Sequence, residues 1–474
     1  MTFGVFHNHK LLWLILICNV LFISWDIGYN SPSHDEALML EMGKQIVERQ
    51  PCPLCPQHTG SVFIQPIFVY LGDMAYGLNG ARLVSTFFGM LLLVSVYVST
   101  YKLYSQKVGY FAAIILMSTG TCVYLSKLAT YDIVAALFLS VSYLTTILSL
   151  QDTSNNKRKH FLFLSALTLF IAGITKYTVA IFWLPFMVYI FKKNQAKQFF
   201  PYFFLPFIVM IAVYLYLAFI PALGSLSGST SGLYRQGRLS ASDIGSRIYY
   251  WLAIPYLLAI FGFYHKNVQW RKTVITWLCF SLPILLLHLL TGDSRSIEKN
   301  VIFALIFVVP AAAIGVDHMG NIFSVESRGN WVKNFFCILV LIVVWAFGLN
   351  QLRWLEHQFP NLSPVLAYMK NNGFDGMTIV LETDYGNPEV LYQYGLRERF
   401  PHAKYFSTSR YSSSDRLDIV GRQRPDFIIF DEYYSAESLL TKNKRYERLP
   451  YAPAASFSIP LPWGKQAIQI VKRR

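Results

Sequence analysis

The stretch YNSPSHDEALMLEMGKQIVERQ, residues 29–50, follows directly on the first long apolar run of the chain. Ser33 and Glu36 have the spacing of a capping box, which predicts that a helix starts here. At about 100° per residue, Asp35 falls on the same helix face as Met39 and the apolar residues that follow it. The stretch therefore predicts an interfacial amphipathic helix with an acid at the start of its apolar face.

Asp35 and Glu36 each have a structural and a functional interpretation. Capping accounts for Glu36, and an acid in the first turn complements the helix dipole. The dipole does not explain why Asp35 points to the same side as Met39. Partial desolvation on that face tends to raise the pKa of a carboxyl group, which suits a general base. We therefore predict that Asp35 is a catalytic base and that Glu36 caps the helix or binds substrate.

The rest of the chain has the composition of a membrane protein. Of its 474 residues, 54% are hydrophobic and 14% are charged, whereas soluble proteins carry about 25% charged residues. Apolar runs long enough to cross a bilayer recur along the chain, which predicts an α-helical polytopic membrane protein with about eleven spans. A further apolar segment, 62–78, holds polar residues and is assigned to the interface. The predicted spans lie near 10–27, 81–101, 108–125, 132–150, 160–175, 177–191, 199–220, 247–264, 273–291, 300–316 and 333–350.

Basic residues alternate between loops and so predict the orientation. One set of loops, rich in Lys and Arg, reads YKLYSQK, NNKRKH, FKKNQAK, HKNVQWRK and ESRGNWVK, and we assign it to the cytoplasm together with the N-terminus. The loops 28–80, 221–246 and 292–299 then face outward, as does the tail after residue 350. The net charge of +15 follows from this topology and from contact with anionic lipids. It requires no nucleic-acid partner.

Two domains are predicted. Residues 1–350 form the membrane domain, which includes the outward loop 28–80. Residues 351–474 have an ordinary soluble composition and alternate helical patterns such as SPVLAYMKNN with strand-like runs such as DFIIFDE. This alternation predicts a small extracytoplasmic α/β domain.

The cysteines fall into two groups. Cys52 and Cys55, in PCPLCPQH, lie in an outward loop, where an oxidising compartment permits a disulfide. Free thiols are an alternative, and so is a zinc site with His58, although no second pair of ligands is evident. The others, Cys18, Cys122, Cys279 and Cys337, lie in apolar runs and are predicted to be small core residues.

A second acid and a set of cations are predicted on the outward side. Asp132 opens an apolar run in SKLATYDIVAALF; it is a functional candidate if it faces the bundle interior and an ordinary interfacial residue otherwise. Lys127 precedes it by five residues and is a candidate ion-pair partner. Outward cations run against the positive-inside rule and match the needs of a lipid phosphate. A snorkelling anchor is the alternative for Arg295, and a disordered linker for loop 221–246. The outward cations are Lys127, Lys176, Arg235, Arg238, Arg295 and Lys299.

Three motifs occur in a fixed order: HDEA after the first span, then FIQPIFVYLGDMAYGLNGARLVSTFFG, then KLATYDIVAALF. This order, over most of residues 20–150, resembles the GT-C glycosyltransferases of the protein O-mannosyltransferase and aminoarabinose transferase type. The resemblance implies that Asp35 is the catalytic base, that Asp132 is the acid at the start of the fourth span, and that Arg82 has a structural or headgroup role. Lys299 matches a basic residue before a late span. The family's His-Pro-Pro is replaced here by Ile64-Gln65-Pro66.

The resemblance implies a membrane glycosyltransferase with a polyprenyl-phosphate sugar as donor and a lipid, glycan or protein as acceptor. Asp35 would take the acceptor's proton, and direct displacement of polyprenyl phosphate would invert the anomeric carbon. Cations would stabilise the departing phosphate, so neither a metal nor another cofactor is expected. Loop 221–246 would close over the bound donor. We expect a multi-pass protein of the bacterial inner membrane with its active site on the periplasmic face.

Other classes of membrane protein would show a different pattern of charged residues or motifs in the sequence. A lipid transporter or flippase would place its key charges at mid-membrane, whereas these acids cluster at one face. An O-antigen ligase or polymerase would rely on Arg and His in a large outward loop, and the outward loops here contain few His. A receptor or scaffold would carry a ligand motif in residues 351–474, and the sequence shows none.

Overall fold

The computed structural model is mostly helical, with a β-sheet towards the C-terminus. The chain divides into two compact units. One comprises Met1–Ile27 and Met42–Arg353, and the other comprises Gly28–Glu41 and Trp354–Arg474. The structure describes residues 10–30, 32–50, 64–193, 196–219, 239–292, 296–323, 329–357, 361–383, 402, 404–407, 422, 424–432, 451–461 and 464–473.

The helices follow the apolar runs of the sequence. In chain order they are α1 Lys10–Ser24, α2 His34–Val47, α3 Gln65–Leu103, α4 Gln106–Ser118, α5 Gly120–Lys127, α6 Asp132–Gln151, α7 Asn155–Thr175, α8 Trp183–Lys193, α9 Ala196–Leu217, α10 Ala241–Phe263, α11 Val268–Thr291, α12 Ile297–Phe323, α13 Gly329–Glu356 and α14 Ser363–Asn371.

Most of the predicted spans are present as long helices. Within the described residues, eight helices are long and apolar enough to cross a membrane. A ninth span is counted if α4 and α5, bent by 66°, act together. Two predicted spans are shorter: α1 has 15 residues, and segment 177–191 forms a 3-10 turn, Tyr177–Phe182, followed by the 11-residue α8. The protein is therefore a helical multi-pass chain, and the count of eleven spans stays a prediction.

Helix α12 lies at the centre of the bundle. Its most apolar 18-residue window is 100% buried, compared with 11% for α9 and 17% for α13. Glycines allow α10 to approach it closely. A Cβ on Gly315 would lie 1.8 Å from the carbonyl oxygen of Leu258, and one on Gly262 would lie 2.7 Å from that of Ala311. Small residues at crossing points are typical of membrane helix pairs, and α9 and α13 leave apolar faces for lipid.

The intramembrane cysteines divide into two pairs. Cys122 and Cys337 are buried, as predicted, whereas Cys18 and Cys279 are exposed on α1 and α11. The prediction of a core position is therefore wrong for Cys18 and Cys279. An apolar run does not distinguish a face that packs on protein from one that packs on lipid, because lipid tails are as apolar as leucine.

Helix α3 consists of two segments that meet at Tyr76 and Gly77. Gly77 has φ 59° and ψ −157°, outside the helical region, and glycine adopts this conformation without steric cost. The chain folds back there, since a Cβ on Gly80 would lie 2.1 Å from the carbonyl oxygen of Gly72. Residues 65–76 thus form a helical segment separate from the span that follows, and its place at the interface stays a prediction.

The described strands near the C-terminus form a mixed sheet in the order β2-β1-β3-β5-β4. β1 pairs in parallel with β2 and β3, whereas β5 pairs antiparallel with β3 and β4. Phe374, just after α14, stacks on Phe427 of β3 with ring centroids 3.7 Å apart. The strands are β1 Thr378–Thr383, β2 Lys404–Ser407, β3 Phe427–Glu432, β4 Tyr451–Leu461 and β5 Gly464–Arg473.

Candidate active site

Asp132 is the first residue of α6 and is 2% exposed. One carboxylate oxygen accepts a hydrogen bond from the Thr130 hydroxyl at 3.0 Å. The other forms an ion pair with the ammonium group of Lys176. This lysine lies 44 positions after Asp132 in the sequence and was not predicted as a partner, whereas a pair with Lys127 stays a prediction. The buried carboxylate thus has a hydroxyl and a cation as partners at the N-terminus of α6.

Lys176 reaches Asp132 because α7 ends directly before it. Its backbone is extended, with φ −142° and ψ 110°, and it separates α7 from the 3-10 turn. The Nζ atom lies 5.8 Å from the ring centroid of Tyr131 and 5.5 Å from that of Phe303. Aromatic faces stabilise a partly desolvated cation. The break that the sequence suggested at Lys176 therefore serves to bring this side chain to Asp132.

Arg82 is completely buried on α3 and donates from Nη1 to the carbonyl oxygen of Ile27 at 2.7 Å. One turn later, the Thr86 hydroxyl donates to the carbonyl oxygen of Ser126 on α5 at 3.0 Å. Lys127, the last residue of α5, is 3% exposed. The contact between α3 and α5 therefore brings the two cations Arg82 and Lys127 into one region of the bundle.

The start of α12 lies against the same helix α5. The Thr121 hydroxyl donates to the backbone oxygen of Glu298 at 3.1 Å. Lys299 follows and is 5% exposed. Because Phe303 of α12 lies next to Lys176, the first turns of α12 carry Lys299 to the neighbourhood of the Asp132–Lys176 pair.

Several buried charged side chains lie in the described part of the membrane unit. Burying charge in a membrane protein is costly and usually marks a functional position. The described buried or nearly buried acids here are Asp73 and Asp132, against four cations. Cationic side chains of this kind suit an anionic ligand such as a phosphate. The four cations are Arg82, Lys127, Lys176 and Lys299.

The second unit contains the start of α2. The backbone N–H of Ser33 donates to Glu36 Oε2 at 2.8 Å, and the backbone N–H of Glu36 donates to Ser33 Oγ at 3.3 Å. The capping box is therefore confirmed, and Glu36 is fully buried in it. Asp35 is half-buried in the first turn, and Met39 is fully buried one turn on.

The chain is similar to known membrane glycosyltransferases in part of its sequence and in its fold. A family model described as dolichyl-phosphate-mannose-protein mannosyltransferase matches residues 60–220. ArnT from Cupriavidus metallidurans, in a crystal structure bound to undecaprenyl phosphate, superposes with a TM-score of 0.58 at 11% identity, covering 97% of each chain. The chain has the GT-C fold.

Two other solved structures share the GT-C fold. Arabinofuranosyltransferase AftD from Mycobacteria matches with a TM-score of 0.57 at 11% identity, covering 98% of this chain and 40% of AftD. The archaeal oligosaccharyltransferase AglB from Archaeoglobus fulgidus, in complex with an inhibitory peptide and a dolichol-phosphate, matches with a TM-score of 0.53 at 10% identity, covering 90% of this chain and 70% of AglB. No curated protein matches the sequence.

Some predicted site residues of this GT-C chain lie outside the described residues. These are Arg235, Arg238 and Arg295, and their roles stay predictions. Cys52 and Cys55 lie outside them as well. The described site residues fall into the two units separately: the membrane unit holds Asp132 and the four cations, and the other unit holds Asp35 and Glu36.

Sequence reasoning missed one polar pair in the GT-C bundle. His288, near the end of α11, and Asn300, in the first turn of α12, are both buried and hydrogen-bonded to each other. His288 interrupts the apolar run LPILLLHLL, and Asn300 opens the run NVIFALIFVVP. A polar residue at the end of each of two consecutive spans is a signal for such a pair, since both span ends lie on the same side of the membrane.

Proposed function

We propose that this protein transfers a sugar from a polyprenyl-phosphate donor to an acceptor outside the cytoplasm. The observation that carries the proposal is the presence of four buried or nearly buried cations in a GT-C bundle, one of them paired with Asp132. A phosphate monoester or diester supplies the negative charge that such a cluster stabilises. As polyprenyl phosphate leaves, its charge grows, and fixed cations lower the barrier without reorganisation.

Ligands bound in two similar structures support a polyprenyl-phosphate donor. ArnT from Cupriavidus metallidurans was solved with undecaprenyl phosphate, and AglB from Archaeoglobus fulgidus was solved with a dolichol-phosphate. Both ligands are polyprenyl phosphates, so the same chemical class suits the cationic cluster of this chain. The donor sugar is a hexose or a pentose, and the acceptor is a lipid, a glycan or a protein.

Asp35 acts as the general base in this proposal. The acceptor's hydroxyl proton passes to the Asp35 carboxylate while its oxygen bonds to the anomeric carbon. The bond from that carbon to the phosphate oxygen breaks, and polyprenyl phosphate leaves with the electron pair. A direct displacement of this kind inverts the anomeric centre. The support for Asp35 is its half-buried place in the first turn of a capped helix and the match of HDEA to the family motif.

The cations bind the lipid phosphate, and the other acids hold the functional side chains in position. Asp132 holds Lys176 in place, and Glu36 fixes the start of the helix that carries Asp35. Loop 221–246 closes over the bound donor. The phosphate-binding set comprises Arg82, Lys127, Lys176 and Lys299, together with Arg235, Arg238 and Arg295.

The location follows from the charge pattern of the loops. Basic loops predict a cytoplasmic N-terminus, so the cationic cluster and residues 351–474 face outward. We propose the bacterial inner membrane, with the reaction on its periplasmic side.

The proposal is tested first by mass spectrometry of glycolipids, glycans and glycoproteins from cells with and without the gene. A product that differs by one sugar residue identifies the acceptor and the sugar. The Asp35→Asn variant is then compared with the wild type for the rate of transfer at saturating donor. We expect transfer to slow by at least ~10²-fold, the usual scale for loss of a general base.

Glu36→Gln is the matched control for Asp35→Asn. Gln completes the capping box as Glu does, so transfer should stay close to the wild-type rate. Thermal unfolding of both variants separates a catalytic loss from a folding loss. Near-normal turnover in Asp35→Asn with wild-type stability would refute the assignment of the base. Identical glycoconjugates with and without the gene would refute the transferase function.

A further inference from the structure

The pair of His288 and Asn300 has a property that capping or packing does not explain. The Asn300 Nδ2 group donates to His288 Nε2 at 2.9 Å, which leaves the proton of a neutral imidazole on Nδ1. His288 is 4% exposed and Asn300 is 3% exposed. The Asn300 Oδ1 atom is buried and has no hydrogen-bond partner among the residues that the structure describes. The pair therefore ends in an amide oxygen that can still accept a hydrogen bond.

An unsatisfied buried acceptor is unfavourable. Nearly all buried polar groups have a partner, and each exception calls for an explanation. The free-energy penalty of the unpaired oxygen is recovered when a ligand donates a hydrogen bond to it. Asn300 is held in place by His288 on the neighbouring helix, so its side chain is already oriented before a ligand arrives.

Asn300 lies close to the cationic cluster. It directly follows Lys299, and Phe303 stands three residues further on the same side of α12. Three residues of α-helix rise by about 4.5 Å, and the Phe303 ring centroid is 5.5 Å from Lys176 Nζ. Asn300 therefore lies in the same first turns of α12 as Phe303, the residue that approaches the Asp132–Lys176 pair.

We infer that Asn300, oriented by His288, is a sugar-recognition residue that accepts a hydrogen bond from a hydroxyl group of the transferred sugar. This inference rests on the proposed function and names a specificity determinant of the same site. Lysine and arginine recognise the phosphate of any polyprenyl-phosphate sugar, whereas a neutral buried amide oxygen discriminates by the presence of a hydroxyl donor. Because Oδ1 is covered, the sugar reaches it only when a neighbouring group moves aside, so recognition accompanies donor binding.

The experiment compares binding of two kinds of lipid to the full-length protein in lipid nanodiscs. One is undecaprenyl phosphate alone, and the other is a panel of undecaprenyl phosphates carrying mannose, glucose, galactose or arabinose. The wild type should bind at least one sugar-loaded lipid more tightly than the unloaded lipid. In Asn300→Leu that preference should fall by about tenfold, the effect of one hydrogen bond at about 1.4 kcal/mol, with affinity for the unloaded lipid unchanged.

Two further variants separate recognition from folding. Asn300→Asp keeps an acceptor oxygen of the same size, and His288 can hold the carboxylate by donating from Nε2 in its other tautomer, so the variant should keep the preference within about threefold of the wild type. Asn321→Leu makes the same side-chain change at the other end of α12, where Asn321 donates to Asp317, and should leave the preference unchanged. If Asn300→Leu fails to fold, Asn300→Ser, which is too short to reach the same point, takes its place.

The outcomes separate the two proposals. If the wild type binds undecaprenyl phosphate but shows no preference for any sugar-loaded lipid, or if Asn300→Leu and Asn300→Ser retain the preference, the sugar-recognition role is wrong and the phosphate site stands. If the wild type does not bind undecaprenyl phosphate at all, the proposed function itself is wrong.

Discussion

Removal of the Asp132 carboxylate should destabilise the protein through Lys176. The Lys176 side chain is only 11% exposed, and its ion-pair partner is Asp132. Breaking a buried pair from one side typically costs about 3–5 kcal/mol, because the remaining charge stays buried. In Asp132→Asn the amide oxygen still accepts a hydrogen bond from the ammonium group, so we expect the lower end, about 3 kcal/mol.

The double variant Asp132→Asn/Lys176→Met tests whether the loss of stability comes from the unpaired Lys176 charge. Met has no charge to bury and fits beside the rings of Tyr131 and Phe303, which now flank the ammonium group. Replacing a buried ion pair by apolar groups is often neutral. The double variant should therefore regain most of the free energy of unfolding that Asp132→Asn loses, while sugar transfer stays low because a phosphate-binding cation is gone.

The assay is a double-mutant cycle on purified protein, with unfolding in denaturing detergent followed by circular dichroism. Asp132→Asn, Lys176→Met and the double variant are compared with the wild type under identical conditions. A strong coupling free energy is expected, since the two side chains are in contact. If the losses of the two single variants simply add in the double variant, the ion pair does not hold this part of the bundle together and the reasoning fails.

Three other predictions concern topology, the cysteines and a close helix contact. Reporter fusions at Ser154 and at the C-terminus should give opposite signals, because NNKRKH is assigned to the cytoplasm and the tail to the outside; equal signals would mean a miscounted span. Changing both Cys52 and Cys55 to Ser should leave folding and most activity intact, since a disulfide between them would close only a very short loop; complete loss of activity would favour a metal site. Gly43→Ala places a Cβ 2.0 Å from a backbone oxygen of α3 and should lower the free energy of unfolding by about 1–3 kcal/mol through overpacking. Gly245→Ala, which has open space around it, should leave the stability unchanged or raise it. Equal shifts in the unfolding temperature of the two variants would contradict the close contact at Gly43.

Local sequence patterns predicted those features that depend on neighbouring residues. The capping box at Ser33 and Glu36 is an interaction between positions three apart, so its residues and spacing suffice to specify it. The spans depend on unbroken apolar runs, because a backbone in lipid must satisfy its own hydrogen bonds as a helix. The break after α7 was visible as Lys176 between two short apolar runs.

Tertiary structure decided which distant residues meet. The fold brings Lys176 to Asp132 across 44 positions, a contact that no local pattern in the sequence predicted. Likewise, His288 and Asn300 read as isolated polar residues until α11 and α12 pack side by side. The exposed positions of Cys18 and Cys279 were also decided by packing. Hydropathy measures only how apolar a segment is, and lipid and protein are equally apolar surroundings, so the facing direction of each helix is set by the close contacts of the folded bundle.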